Sequence, residues 1–276
     1  VRWDPSEPHL PCVVPEPYNS MYPPDTVPPW PSFPDELAGK PYVQSLQRQR
    51  WDVEGWDWQR WAPVVSRYLG EISLLDAQIG RLLDTLDELD LAGNTLVIYS
   101  TDHGDFCGGH GMMDKHFSAY DDIMRVPLLM RLPGRAEGGA VRNDFISHSI
   151  DIATTLCGAA GVPVPDTFMG RDLLADINGE GGDGRNDIFS MYQGCQMGLW
   201  STRMVRNHRA KLVYHATAQA ELYDLRNDPG ELENRIGDPA MDGQLDHLRH
   251  RLIQWMEDIQ DPLLNPWTRR HISELL

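Results

Sequence analysis

Between Ser100 and His116 the chain reads STDHGDFCGGHGMMDKH, which sets three His, three Asp and one Lys directly behind the apolar run Leu96, Val97, Ile98, Tyr99. Asp102 and His103 are neighbours, so a straight extended backbone would send their side chains to opposite faces. A turn straight after the strand, helped by Gly104, would let both reach one ion. A carboxylate with an imidazole suits zinc, manganese or iron better than calcium, which prefers oxygen ligands. Two ligands fall short of a site, and Asp105, His110 and residues elsewhere are the candidates for the remainder. The plain alternative is equally open: Asp102 caps the turn and His103 is a surface histidine.

Lys115 follows Asp114 in a loop whose glycines, Gly108, Gly109 and Gly111, permit close approach of the backbone to a ligand. Beside a metal, Lys115 would add a second positive charge for a sulfate or phosphate group and stabilise the oxygen charge that grows in the transition state. A lone lysine is more often simply solvated. His110 and His116 are read as loop-structuring residues, and Arg125, which leads into Val126-Pro127, as an ion-pair anchor.

Elements that would position these groups follow from the patterning. Apolar residues from Val64 to Leu89 recur at three and four, predicting a long amphipathic helix over 63–91 that Ala92-Gly93-Asn94 ends. Thr95–Ser100 and Val126–Leu132 read as short buried strands, and Phe145–Ala160 as a strand edge and a helix. Helix, strand, polar loop, strand is the alternation of an α/β domain with a largely parallel sheet, in which functional residues collect where strands end. Gly179–Gly184 reads as a linker. Beyond it, Ile188–Tyr192, Met197–Val205 and Lys211–His215 suit a small antiparallel sheet, and Leu245, Leu248, Leu252, Trp255, Met256 and Ile259 form the stripe of a closing helix. The expected division is a partial α/β core over 1–178, with 1–62 a Pro-rich extended segment, and a C-terminal subdomain over 185–276. Twelve of the 21 prolines fall between Pro5 and Pro41, which forbids helix and sheet interior there.

Composition narrows the partners. A formal charge of −17 repels nucleic acid, no Lys/Arg-rich run compensates, and no uninterrupted apolar run is long enough to span a membrane. An acidic protein that takes an anionic substrate needs a local cation, which is one reason to expect a metal. Cys12, Cys107, Cys157 and Cys195 lie far apart and indicate neither a zinc ribbon nor a disulfide framework. Compartment and oligomeric state stay open.

Four segments, YLGEISLLDAQIGRLLDTLDELDLAGNTLVIYSTDHGDFCGGHGMMDKH, YDDIMRVPLLMRLPG, SHSIDIATTLCGAAGVPVP and AELYDLRNDPGELEN, resemble the sulfatase family of the alkaline phosphatase superfamily in order and spacing. They cover most of residues 63 to 236, and EPHLPCVVPEPYNSMYPP resembles the segment that brings a His into the family's active site. The resemblance implies an alkaline-phosphatase-like core, Asp102 and His103 as ligands of one divalent metal (calcium by family, manganese or zinc given His103), and Lys115 and His9 as substrate-contacting catalytic residues. His after the Asp is common in members related to phosphonate monoester hydrolases. Asp76 and Asp151 match positions read as structural, and Pro229-Gly230 makes a turn in a hairpin whose role is packing.

The departure from the family is as informative as the match. Its nucleophile, formylglycine made within a Cys/Ser-x-Pro-x-Arg sequence, has no counterpart here, and neither has its adjacent N-terminal Asp pair. The reading is therefore a C-terminal portion of a metal-dependent sulfuric ester hydrolase, inactive alone, with an exposed sheet edge and an open apolar face. Phosphonate or phosphate ester hydrolysis is the close alternative, and a non-catalytic scaffold or binding protein the distant one. The expected substrate is a small anionic ester.

Overall fold

A 31-residue helix, Trp58–Glu88 (α2), is the longest element of the chain. It starts earlier than the apolar periodicity predicts and ends before the 3₁₀ turn at Ala92–Asn94. The computed structural model describes residues 1–135, 138–178, 184–194 and 198–275. The chain packs as two units, Val1–Asp76 with Gly104–Met124 and Phe189–Leu276, and Ala77–His103 with Arg125–Ile188.

In the first unit the Pro-rich segment is extended except for single 3₁₀ turns at Tyr18–Ser20 and Pro24–Thr26. It lies on a core of Val27, Val65 and Cys107, where the Trp30 indole donates to the Cys107 carbonyl at 2.9 Å. Inside the stretch expected to be extended sits a helix, Tyr42–Arg50 (α1). Its buried residues are Val43, Gln44 and Gln47, so an apolar stripe that would have announced it is missing. Four strands, Asp187–Gly194 (β3), Trp200–Asn207 (β4), Ala210–His215 (β5) and Glu221–Asp224 (β6), form a sheet in that order. β4 to β6 pair antiparallel, with Met204 opposite Val213 and Leu212 opposite Leu222. Met197, the first residue of the expected 197–205 strand, Cys195, and residues 179–183 of the expected linker lie outside the described residues.

Helix Asp242–Asp258 (α6) buries Leu245, Leu248, Leu252 and Met256 against Val205, Leu212 and Leu222. A further helix, Pro266–Ser273 (α7), is capped by the Asn265 side chain and closes that core with Ile272. The ELYDLRNDPGELEN stretch is less turn-rich than expected, because its first four residues are β6, wholly buried. Its packing role holds: a Cβ on Gly230 would meet the Pro31 carbonyl oxygen at 2.3 Å.

The second unit carries the strands Val97–Ser100 (β1) and Leu128–Arg131 (β2) and the helices His148–Ala160 (α4) and Leu173–Ile177 (α5). β1 and β2 pair antiparallel, Val97 with Arg131 and Ser100 with Leu128. A largely parallel sheet is the expectation for the α/β core as a whole, and this pair of strands runs antiparallel. Parallel neighbours need a long crossover, normally a helix, and the only α-helix between them is the four-residue Asp121–Met124 (α3). The fold is α/β, and the β1–β2, β4–β5 and β5–β6 pairings are antiparallel. Asp151, with no exposed surface, ties this unit together by accepting from the Ser147 and Arg171 backbones at 2.7 and 2.8 Å and from the Arg185 guanidinium at 2.8 Å. Its structural reading is thereby explained. Among the described residues no helix is long and apolar enough to cross a membrane.

Candidate active site

In the second unit the chain bends at Asp102, just past β1, and the two neighbouring side chains turn to the same side. Asp102 Oδ2 and His103 Nε2 are 3.6 Å apart, close to the separation of two ligands that share one ion at about 2.0–2.2 Å. Asp102 Oδ1 is occupied by the His103 backbone N–H at 3.1 Å, which leaves Oδ2 pointing toward the imidazole. The carboxylate side chain is 83% exposed. An oxygen and a nitrogen donor presented together fit half the coordination of a divalent transition metal. Among the described residues no group of three or more His, Cys, Asp or Glu assembles to hold an ion.

Gly104 serves the bend differently from expectation. Its N–H donates to the Ile123 carbonyl at 2.8 Å, and a Cβ there would meet the Asp122 carbonyl oxygen at 1.9 Å, so close backbone approach is what demands glycine. The loop glycines behave likewise: a Cβ on Gly109 would lie 2.5 Å from an Asp122 carboxylate oxygen. They admit the protein's own side chains.

In the first unit, Lys115 Nζ and His9 Nε2 hydrogen-bond each other across 106 positions of sequence. His9 Nδ1 lies 2.8 Å from the Leu10 carbonyl oxygen. A carbonyl only accepts, so Nδ1 carries the proton and Nε2 offers its lone pair to the Lys115 ammonium. Lys115 also pairs with Asp114 Oδ1 at 2.9 Å, and His116 Nε2 sits 2.9 Å from Asp114 Oδ2. Burial works against the Asp114 carboxylate, but hydrogen bonds from His116 and Lys115 overcome it and hold its pKa down to about 2.

The remaining candidates shape the loop. Asp105 accepts from the Cys107 backbone at 2.8 Å, and burial raises its pKa. His110 is 1% exposed, stacks on Tyr120 with ring centroids 3.7 Å apart, and binds Asp35 through Nδ1 at 2.7 Å. Asp35 is paired in turn with buried Lys40 at 2.5 Å. Arg125 is exposed and forms no ion pair among the described residues, so the anchor reading fails: it sits past the end of α3, outside the packed loop. Cys12 and Glu71 meet beneath the His9 segment, where burial first and the Glu71 charge second push the thiol up to about 12.

Three residues escaped sequence reasoning. Gln47 donates to the Met113 and Lys115 carbonyls at 2.7 and 3.1 Å, and Arg48 reaches the His110 carbonyl at 3.1 Å. Both belong to α1, whose Gln, Leu and Arg residues favour helix but form no apolar stripe. His148, first residue of α4, lies within electrostatic reach of Asp102, and burial lowers its pKa against that charge.

Two family models match, sulfatase over residues 6–162 and the C-terminal region of N-sulphoglucosamine sulphohydrolase over 108–258. The chain is 30% identical over 270 residues to the uncharacterized sulfatase YidJ of Escherichia coli, covering 95% of this chain and 53% of that protein. It is 30% identical over 221 residues to the N-acetylglucosamine-6-O-sulfatase of Bacteroides thetaiotaomicron, covering 74% and 39%. The solved phosphonate monoester hydrolase of Agrobacterium radiobacter superposes with a TM-score of 0.75 at 27% identity, over 89% of this chain and 55% of that one. The chain thus spans about half the length of the relatives it matches. With models covering more than half of it on both sides of the 102–116 loop, the chain belongs to the sulfatase family.

Proposed function

We propose that the chain contributes to hydrolysis of a small sulfuric ester, with Lys115 and His9 meeting the substrate and Asp102 and His103 as metal ligands. The observation that carries this reading is the His9–Lys115 hydrogen bond, which joins the lysine singled out by its loop chemistry to the histidine that the family resemblance implies. Lys115 presents a fixed positive charge to a sulfate oxygen and stabilises the charge that grows there. The Nε2 lone pair of His9, aimed by Nδ1 donation to Leu10, orients the ester or exchanges a proton with its leaving oxygen. A divalent metal, when bound, supplies Lewis-acid charge for the ester oxygens. The formylglycine nucleophile of the family is expected outside the residues present here.

A phosphonate or phosphate ester is the second reading, favoured by His103 and by the likeness to the Agrobacterium hydrolase. The test is elemental analysis of the purified chain against the Asp102→Ala, His103→Ala double variant, together with calorimetric titration of inorganic sulfate and methylphosphonate into wild type and Lys115→Met. Metal lost in the double variant and sulfate binding weakened in Lys115→Met are expected. Equal metal content, or sulfate binding indifferent to Lys115, would overturn the assignments. Preference for methylphosphonate would move the substrate to the second reading.

A further inference from the structure

Left-handed backbone at residues other than glycine is concentrated in the 107–116 loop: Cys107 (φ 39°), His110 (φ 50°), Asp114 (φ 69°) and His116 (φ 102°). Such conformations persist only where their surroundings over-determine them. Around Asp114 one side chain does so. Gln47 is fully buried, and its amide nitrogen donates to the carbonyls of Met113 and Lys115, the two residues that flank Asp114. Asp114 in turn holds both the Lys115 ammonium and His116. Gln47 Oε1 is buried with no hydrogen-bond partner among the described residues. An orphan acceptor is costly, and a methionine of similar size would fill the space without it, so packing alone gives no reason for an amide here.

We propose that Gln47 is a positioning residue for Lys115: its amide clamps the backbone on both sides of the left-handed Asp114, so that the Lys115 ammonium is delivered to His9. The inference rests on the reading that Lys115 meets the anionic group of the substrate. Neighbouring contacts separate this role from general support of the helix. Gln44, on the same helix, donates to Glu221 at 2.9 Å, and Glu221 binds His215 at 2.7 Å, so His215 reports whether α1 stays docked while His9 reports where Lys115 is.

The test is NMR of the full chain with 15N-labelled histidine, with inorganic sulfate as the titrant, on wild type, Gln47→Met, Gln47→Asn and Lys115→Met. In Gln47→Met the His9 Nε2 signal is expected to move toward its position in Lys115→Met, with His215 fixed and sulfate binding about tenfold weaker, the scale of one hydrogen bond to a charged or positioned group. Gln47→Asn, which keeps the amide and loses its reach, should move His9 part of the way, and it decides the matter if Gln47→Met fails to fold. His9 unmoved in both variants, or His9 and His215 shifting together in Gln47→Asn, overturns the proposal. If wild type ignores sulfate, or Lys115→Met binds it equally well, the substrate role of Lys115 fails. The clamp is then judged on the His9 signal alone.

Discussion

The two units of the chain are stabilised by different means. All five hydrophobic clusters among the described residues belong to the first unit, and the largest joins the β4–β6 sheet to α6 and α7. The second unit buries Leu173 and Leu174 but leaves Leu89, Leu129, Val162 and Met169 more than half exposed. Its order comes from charge: Asp151 gathers two backbone donors and Arg185, while Asp144 pairs with Arg142 and Arg171. Apolar burial tolerates small displacements and scales with area, whereas a carboxylate clamp depends on geometry and on protonation. The same chain therefore contains a region that should unfold with its core and one that should open when a few polar contacts are lost.

The sharpest way to break that comparison is to cut each region at its own support. Leu252→Ala removes a fully buried side chain from the α6 core and is expected to cost about 3–5 kcal/mol, read as a lowered urea midpoint. Asp151→Ala leaves two backbone donors and Arg185 without their acceptor and should cost about 3 kcal/mol. Its signature is regional: hydrogen exchange speeds up in α4 and β1–β2, and the β4–β5 amides stay protected. Uniform acceleration would mean that the units open as one and that the contrast has no energetic content.

Acid offers a smaller and graded version of the same cut. The Asp114 pKa is about 2 in the folded chain, below the ordinary 3.8, so the group binds its proton more weakly folded than unfolded. Its stabilisation, on the order of 2 kcal/mol, is complete above about pH 4 and disappears as the pH falls through 2. Asp144 is also held to about 2, against burial, by Arg142 and Arg171, and loses its contribution in the same window. Asp114→Asn should flatten the acid limb of the stability curve measured in the first unit, and Asp144→Asn that in the second. An unchanged acid limb in Asp114→Asn would remove the Lys115–Asp114–His116 cluster as a source of stability.

Sequence periodicity located α2, α6, β4 and β5, which rest on apolar burial, and it also found β1 and β2, although the residues expected to be buried there are half-buried or exposed. It missed α1 because Gln44 and Gln47 do the burying there, and β6 because Glu221, bonded to Tyr223 and His215, is buried inside the strand. Polar side chains become core residues only when distant partners satisfy them, and those partners are set by tertiary structure. For the same reason Lys115 and His9 were found through chemistry and family pattern, whereas the clamp that places Lys115 had no local signature. The antiparallel pairing of β1 and β2 was hidden too, since two short apolar runs carry no sense of direction.

The smallest expected effect tests the exposed side of the comparison. Leu129 lies on β2 at 61% exposure, in a two-stranded sheet where its partner across the strands, Tyr99, is also exposed. A side chain that stays in water on folding gains little from its apolar surface, so Leu129→Thr, which introduces the β-branching that suits a strand and loses the apolar tip, should change the urea midpoint by the equivalent of less than about 0.5 kcal/mol. Exposed apolar surface still matters between molecules, so the same variant should bind less of a hydrophobic dye and stay monodisperse at higher concentration. A cost above about 1 kcal/mol would show that Leu129 is covered in solution. The second unit would then have an apolar partner after all, and its stability would need reckoning in area as well as in charge.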